Sequence, residues 1–131
     1  MKERNSIVIL LSSYNGEKFI KEQIDSILSQ TGVDIYLYIR DDGSTDGTIN
    51  ILNFYNKLPN CEVVLGENIG ARDSFLWLIE NAPECEYYAF SDQDDIWNPD
   101  KLSSAILKLN QTDSILYHGL AGRVDKELNP L

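Results

Sequence analysis

The stretch Ser6-Ile7-Val8-Ile9-Leu10-Leu11-Ser12-Ser13-Tyr14-Asn15-Gly16 decides the fold class. Its apolar run, Ile7–Leu11, is continuous rather than alternating, which is the pattern of a strand covered on both faces. Strands of that kind belong to parallel sheets flanked by helices. The run is a strand and not a signal-peptide core, and no apolar run in the chain approaches the ~20 residues needed to span a bilayer.

Working outward, Glu17–Gln30 reads as a helix, with Ile20, Ile24, Ile27 and Leu28 on one face. Asp34–Ile39 reads as a second strand and Asp46–Lys57 as a second helix opened by Ser/Thr/Asp capping chemistry. A short strand over Glu62–Leu65 precedes a helix over Asp73–Glu80, whose Phe75, Leu78 and Ile79 share a face. Glu86–Phe90 is a fourth strand. Asn98-Pro99 is a strong helix start, and the helix after it should bury Leu102, Ala105, Ile106 and Leu109. Ile115–Tyr117 is a fifth strand, with no complete unit after it. This alternation predicts an α/β protein with a mostly parallel, Rossmann-like sheet and helices on both faces.

Two acidic clusters fall where strands give way to loops. Asp41-Asp42-Gly43-Ser44-Thr45-Asp46-Gly47-Thr48 follows Ile35–Ile39, and Asp92-Gln93-Asp94-Asp95 follows Tyr87–Phe90. In open α/β sheets ligands bind beyond the carboxyl ends of the strands, so both clusters should meet Tyr14-Asn15-Gly16 and Glu67-Asn68 along one edge. Clustered carboxylates repel one another, and a hard divalent cation with oxygen ligands relieves this. Three acids at 92, 94 and 95 exceed what helix capping needs. A lone Asp-Asp-Gly would be read as a turn. The first cluster also imitates a calcium loop, with Asp42, Ser44, Asp46 and Gly47 at positions 1, 3, 5 and 6. Position 12 is Asn53 where a bidentate Glu is required, and a strand precedes the loop, so an EF-hand is rejected.

The remaining chemistry-bearing residues have plainer readings. Asn68-Ile69-Gly70 is a tight turn, His118 a strand-end residue, and Trp77 and Trp97 packing residues. A net charge of −10, from 21 acidic against 11 basic residues with no Lys/Arg cluster, speaks against nucleic acid as partner. An acidic protein that binds a phosphorylated ligand needs a cation between them. Cys61 and Cys85 form no CxxC pair, so neither zinc nor a disulfide framework is expected, and reduced, cytosolic thiols are.

Four segments, LLSSYNGEKFIKEQIDSILSQ, IRDDGSTDGT, ENIG and FSDQDDIWNPDKL, together resemble the family 2 glycosyltransferases, especially bacterial rhamnosyltransferase-like members. They stand in the family's order at family-like spacing and cover nearly all of Ser6–Leu109. The resemblance implies a GT-A fold and transfer of a sugar from a nucleoside diphosphate donor to an acceptor hydroxyl, with inversion, in bacterial cell-surface polysaccharide synthesis. Tyr14 and Asn15 match the first nucleotide-contacting loop. Asp42 matches the aspartate that recognises the base and ribose, with Asp41 beside it. Asp92 and Asp94 match the acids of the DxD motif, Asp94 being the favoured direct ligand of Mn²⁺ or Mg²⁺ and Asp95 a neighbour that could ligate or orient. Ser13, Asn68, Gln93 and Arg72 complete the candidate nucleotide contacts, although a lone arginine at a helix start is commonly a surface residue.

In the family the catalytic base is an Asp or Glu of a later segment, which is expected beyond Leu131, and no catalytic base is assigned here; Asp125 reads as a turn residue. The chain is therefore expected to be the donor-binding portion of a larger protein truncated at its C-terminus, without the acceptor-binding portion. Alone it should bind nucleotide and metal but turn over poorly. The expected partners are a UDP- or dTDP-linked donor and a carbohydrate or lipid-linked acceptor, in the cytoplasm or at the inner membrane face. Three rival readings are a non-catalytic nucleotide-sugar binding module, a sugar nucleotidyltransferase and an acidic metal-binding interaction domain. The nucleotidyltransferase would carry a Gly-rich basic loop after the first strand, where this chain has SSYNGEK.

Overall fold

The computed structural model describes residues 5–91, 96–112, 116–117 and 123–124. The expectations placed on Asp92, Gln93, Asp94, Asp95, His118 and Asp125 lie outside the described residues. Strands β1 (Asn5–Ser13), β2 (Val33–Asp42), β3 (Cys61–Gly66), β4 (Tyr87–Ser91), β5 (Leu116–Tyr117) and β6 (Arg123–Val124) form one sheet in the order β3-β2-β1-β4-β5-β6. All neighbours are parallel except β5 and β6. Helices α1 (Ile20–Leu28), α2 (Thr48–Tyr55), α3 (Ala71–Asn81) and α4 (Lys101–Thr112) connect the strands. The doubly wound α/β architecture is the one expected.

Alternation along the central strands assigns the two faces. Ile7, Ile9 and Leu11 of β1 and Leu37 and Ile39 of β2 point to one side, where they pack with Ile20, Ile24 and Ile27 of α1, Leu52 of α2 and Leu102, Ile106 and Leu109 of α4. Val8, Leu10 and Tyr38 point to the other side, against Leu78, Phe75 and Trp77 of α3. A continuous apolar run was therefore needed in β1 because both of its faces are covered.

Three details differ from the expectations. The second strand runs three residues past Ile39 to Asp42, because its polar end still pairs in register with β1 (Ser12 with Arg40, Ser13 with Asp41) and with β3 (Asp42 with Gly66). Ile79 is exposed rather than on the buried face of α3, whose seam runs through Ser74 and Leu78. The short antiparallel β6 was not foreseen, since two residues carry no readable period. Both cysteines are free, and burial raises the Cys61 thiol to about 11.

The chain runs outward from β1 through β2 to β3, then returns to lay β4 on the other side of β1. The strand order thus reverses between β1 and β4, which is where open α/β sheets place their ligand crevice.

Candidate donor site

Asp41 and Asp42, the last two residues of β2, are consecutive and therefore face opposite sides of the sheet. Both are almost fully buried, at 1% and 3% exposure. The Asp41 carboxylate accepts from the Ser13 hydroxyl (2.8 Å), the Ser44 amide (2.8 Å) and the Ser44 hydroxyl (2.6 Å). These bonds close the Asp41–Ser44 turn and pin it to the end of β1. Gly43 turns the corner at φ +79°, and a side chain there would crowd the Asn68 amide.

The turn in turn holds the Tyr14–Gly16 loop. Asn15 sits in the left-handed region at φ 47°, a conformation that asparagine tolerates better than most residues. Its amide donates to the Ser44 hydroxyl (2.9 Å) and its side-chain oxygen accepts from the Thr45 amide (2.8 Å). The Gly16 amide donates to the Thr48 hydroxyl (2.9 Å). Asp46 accepts from the Thr48 amide (2.9 Å) just before α2, whose N-cap is Gly47, so the side-chain cap expected at that position is absent and a local turn bond from the preceding residue stands beside it. The loops after β1 and β2 are therefore one hydrogen-bonded unit.

On the opposite face, Asp42 looks into a cleft of about 460 Å³ lined by Ser12, Tyr14, Asp42, Asn68, Gly70, Ala71 and Phe75. Its Oδ1 accepts from Arg40 Nη1 (2.7 Å) and the Ile69 amide (2.9 Å), and its Oδ2 from the Gly70 amide (3.1 Å). Burial opposes its charge, but the two amides and the guanidinium outweigh that and hold the carboxyl below the usual aspartate value. The Asn68 side chain donates to the Asp42 carbonyl (3.1 Å), tying the loop after β3 to the end of β2.

Of the candidate residues, Tyr14, Asp42 and Asn68 line the cleft together. Ser13 and Asp41 lie on the other face of the sheet, bonded to each other, and Asn15 holds the loop between them. Arg72 is exposed on the first turn of α3, next to the cleft residue Ala71. The structure also brings in Ser12, Phe75 and Arg40, which the sequence reading did not single out. Arg40 had one available signal: it shares a strand face with Tyr38 and Asp42, at spacings of two.

Among the described residues no group of three or more His, Cys, Asp or Glu side chains could hold a metal. In sequence the expected ligands Asp92, Asp94 and Asp95 come after Ser91, the buried last residue of β4, a strand that borders the strand-order reversal. By residue type alone these three carboxylates are oxygen donors of the kind that Mn²⁺ or Mg²⁺ prefers. Among the described residues no helix is long and apolar enough to cross a membrane.

Comparison with known proteins follows the same lines. The chain is 41% identical over 102 residues to the dTDP-rhamnosyl transferase RfbG of Shigella flexneri, covering 73% of this chain and 35% of that protein. It is 33% identical over 106 residues to UDP-Glc:alpha-D-GlcNAc-diphosphoundecaprenol beta-1,3-glucosyltransferase WfaP of Escherichia coli, covering 76% and 39%. Among solved structures it is similar to S. aureus TarS in complex with UDP-GlcNAc, with a TM-score of 0.73 and 27% identity over 83% of this chain and 32% of that one. The sheet is accordingly that of a GT-A glycosyltransferase, and the chain spans between about a third and two fifths of these relatives. The model of glycosyl transferase family 2 matches residues 8–130, from the first buried strand past both acidic clusters, and the chain belongs to that family.

Proposed function

We propose that this chain forms the donor-binding part of a glycosyltransferase that moves a sugar from a UDP- or dTDP-linked donor to an acceptor hydroxyl. The observation that carries the reading is the cleft beyond β1 and β2, where a buried, ionised Asp42 lies beside Tyr14 and Asn68. In this reading Tyr14, Asp42 and Asn68 receive the base and ribose, and Arg72 reaches the phosphates. Ser13, Asn15 and Asp41 hold the two loops in register beside the cleft. Asp92, Asp94 and Asp95 would hold Mn²⁺ or Mg²⁺, with Gln93 beside them.

The leaving nucleoside diphosphate gains negative charge as the glycosidic bond breaks. A divalent ion held there supplies Lewis-acid stabilisation of that charge, which a protein of net charge −10 needs at an anionic leaving group. Inverting transfer also requires a carboxylate base on the acceptor side. No residue of this chain is assigned that role in this reading, and the chain spans about a third to two fifths of the relatives' length. The acceptor is a carbohydrate or lipid-linked sugar of bacterial surface polysaccharide synthesis, met in the cytoplasm at the inner membrane face. The names of RfbG and WfaP support this choice of donor and pathway class.

Calorimetric titration with UDP and dTDP, in Mn²⁺ and then in EDTA, tests the reading. Metal-dependent binding that Asp94→Ala abolishes is the expected result. A folded protein that binds neither nucleotide would overturn it.

A further inference from the structure

We propose that Arg40 is a positioning residue for nucleotide selection: its buried guanidinium fixes Asp42 as an ionised acceptor with one bonding position left, so that the cleft prefers a pyrimidine bearing a single ring N–H. The proposal rests on the reading of the cleft as the donor-base site.

Arg40 lies under the cleft at 4% exposure. Its Nη1 donates to Asp42 Oδ1 (2.7 Å) and to the Ser74 hydroxyl (2.9 Å), and its Nη2 donates to the Glu67 carbonyl (3.0 Å). The guanidinium also lies over the Trp77 ring, 5.7 Å from its centroid. Ser74 is tied in turn to Ser12, a residue of the cleft wall, at 2.7 Å. Three elements therefore hold one guanidinium: β2, α3 and the loop after β3. Room for it exists only because β3 ends in glycine, since a Cβ at Gly66 would collide with it.

Such an arrangement is a poor way to gain stability. A buried ion pair recovers little more than its own desolvation cost, and an apolar residue of similar volume commonly does as well. What the guanidinium does provide is a fixed carboxylate. An ionised carboxylate accepts only, at about four lone-pair positions on its two oxygens. Oδ1 already accepts from Arg40 and Ile69, and Oδ2 accepts from Gly70. One position on Oδ2 remains for a ligand in the cleft. It suits the single ring N–H of uracil or thymine, and it repels the unprotonated ring nitrogen that cytosine presents at the same place. Without Arg40 the carboxyl could rotate, or take a proton and donate, and both changes relax that choice.

The test compares the affinities of UDP, dTDP and CDP for the protein and for Arg40→Met, Arg40→Lys and Ser74→Ala, with thermal melts of each. The wild-type protein should prefer UDP or dTDP over CDP. Arg40→Met should lower that ratio by roughly tenfold, the worth of one charge-assisted hydrogen bond, and Arg40→Lys should recover part of it. A merely structural arginine would lower all three affinities together and leave the ratio alone, and that result overturns the proposal. If both Arg40 variants fail to fold, Ser74→Ala decides, because it loosens the guanidinium without removing its charge. A ratio in Ser74→Ala equal to wild type then overturns the proposal. A wild-type protein that binds none of the three overturns the donor-site reading and this inference with it. Wild-type binding with a ratio indifferent to Arg40 overturns the inference alone.

Discussion

The Gln23 side-chain amide donates to the Ser91 hydroxyl at 2.8 Å, joining the middle of α1 to the last residue of β4. Both residues are fully buried. The same helix region also bonds residues that follow the acidic segment in sequence. The Ser26 hydroxyl accepts from the Trp97 amide (3.0 Å), and Gln30, two residues past the end of α1, donates to the Asn98 carbonyl (2.6 Å) and accepts from the Leu102 amide (3.0 Å). The Thr31 amide and hydroxyl donate to the Pro99 carbonyl at 2.8 and 3.1 Å. One stretch of chain thus fixes the end of β4 and the start of α4 relative to each other.

Gln30 carries two of these bonds, one as donor and one as acceptor. The Leu102 amide is one of the N–H groups at a helix start that no turn of the helix can satisfy, and Leu102 itself is 1% exposed. Gln30→Leu leaves this donor and the Asn98 carbonyl without their partner, so a loss of about 1–3 kcal/mol is expected. Urea unfolding measures it. A variant within about 0.5 kcal/mol of wild type, the usual span of neutral surface changes, would mean that water replaces the glutamine.

Asp41 and Ser13 make a second prediction. Asp41→Ala removes the acceptor from three donors in one buried turn, two of them on Ser44. The expected loss is near the upper end of about 1–3 kcal/mol, since the donors are left buried and unpaired. Ser13→Ala removes a single bond and should cost about 1 kcal/mol. In the double variant the two losses should fall short of additive, because they share a bond. Simple additivity in melting experiments would show that the Ser13–Asp41 contact contributes nothing.

The depressed pKa of Asp42 gives a stability with a defined pH window. Its folded value lies below its unfolded value, which is about 3.9. The contribution is therefore complete above the unfolded value and is lost as pH falls through the folded one. Between pH 5 and 8 it should not vary. Asp42→Asn leaves the Arg40 guanidinium buried without its counter-charge, which costs about 3–5 kcal/mol at neutral pH. The gap between wild type and this variant should narrow as the pH drops below about 4. Unfolding free energies at pH 3, 4, 5 and 7 test this, and a gap that stays constant down to pH 3 contradicts it.

The residues that were legible in the sequence carried local signals. Ile7–Leu11 read as a doubly covered strand because every position was apolar, and all five residues are buried. Leu102, Ala105, Ile106 and Leu109 read as one helix face, and all four are buried too. Tyr14, Asp42 and Asn68 could be brought to one edge by topology alone, because every parallel strand ends there. Arg40 could not be read in this way. Its partners Glu67 and Ser74 lie 27 and 34 residues away, and no periodicity links a charged strand residue to a carbonyl and a hydroxyl on other elements. The extension of β2 to Asp42 was hidden for a related reason: the apolar run stops at Ile39, but the ladder with β1 and β3 does not depend on apolar side chains.

Gly66 offers the sharpest test of the packing around that arginine. Glycine in a strand is ordinarily a weakness, and replacing it with alanine should gain about 0.5–1 kcal/mol where nothing stands in the way. Here a Cβ would run into the Arg40 guanidinium. The end of an arginine side chain usually moves aside at little cost. This one is held by Asp42, Ser74 and the Glu67 carbonyl, so yielding means breaking charge-assisted bonds. Gly66→Ala should therefore destabilise the protein by about 1–3 kcal/mol, as overpacking does. On an Arg40→Ala background the three nearest atoms to that Cβ are gone, and the same substitution should be neutral or mildly stabilising. The two backgrounds together form a double-mutant cycle with an expected coupling of about 0.5–3 kcal/mol. If Gly66→Ala costs the same with and without Arg40, the glycine serves the backbone of β3 and not the arginine.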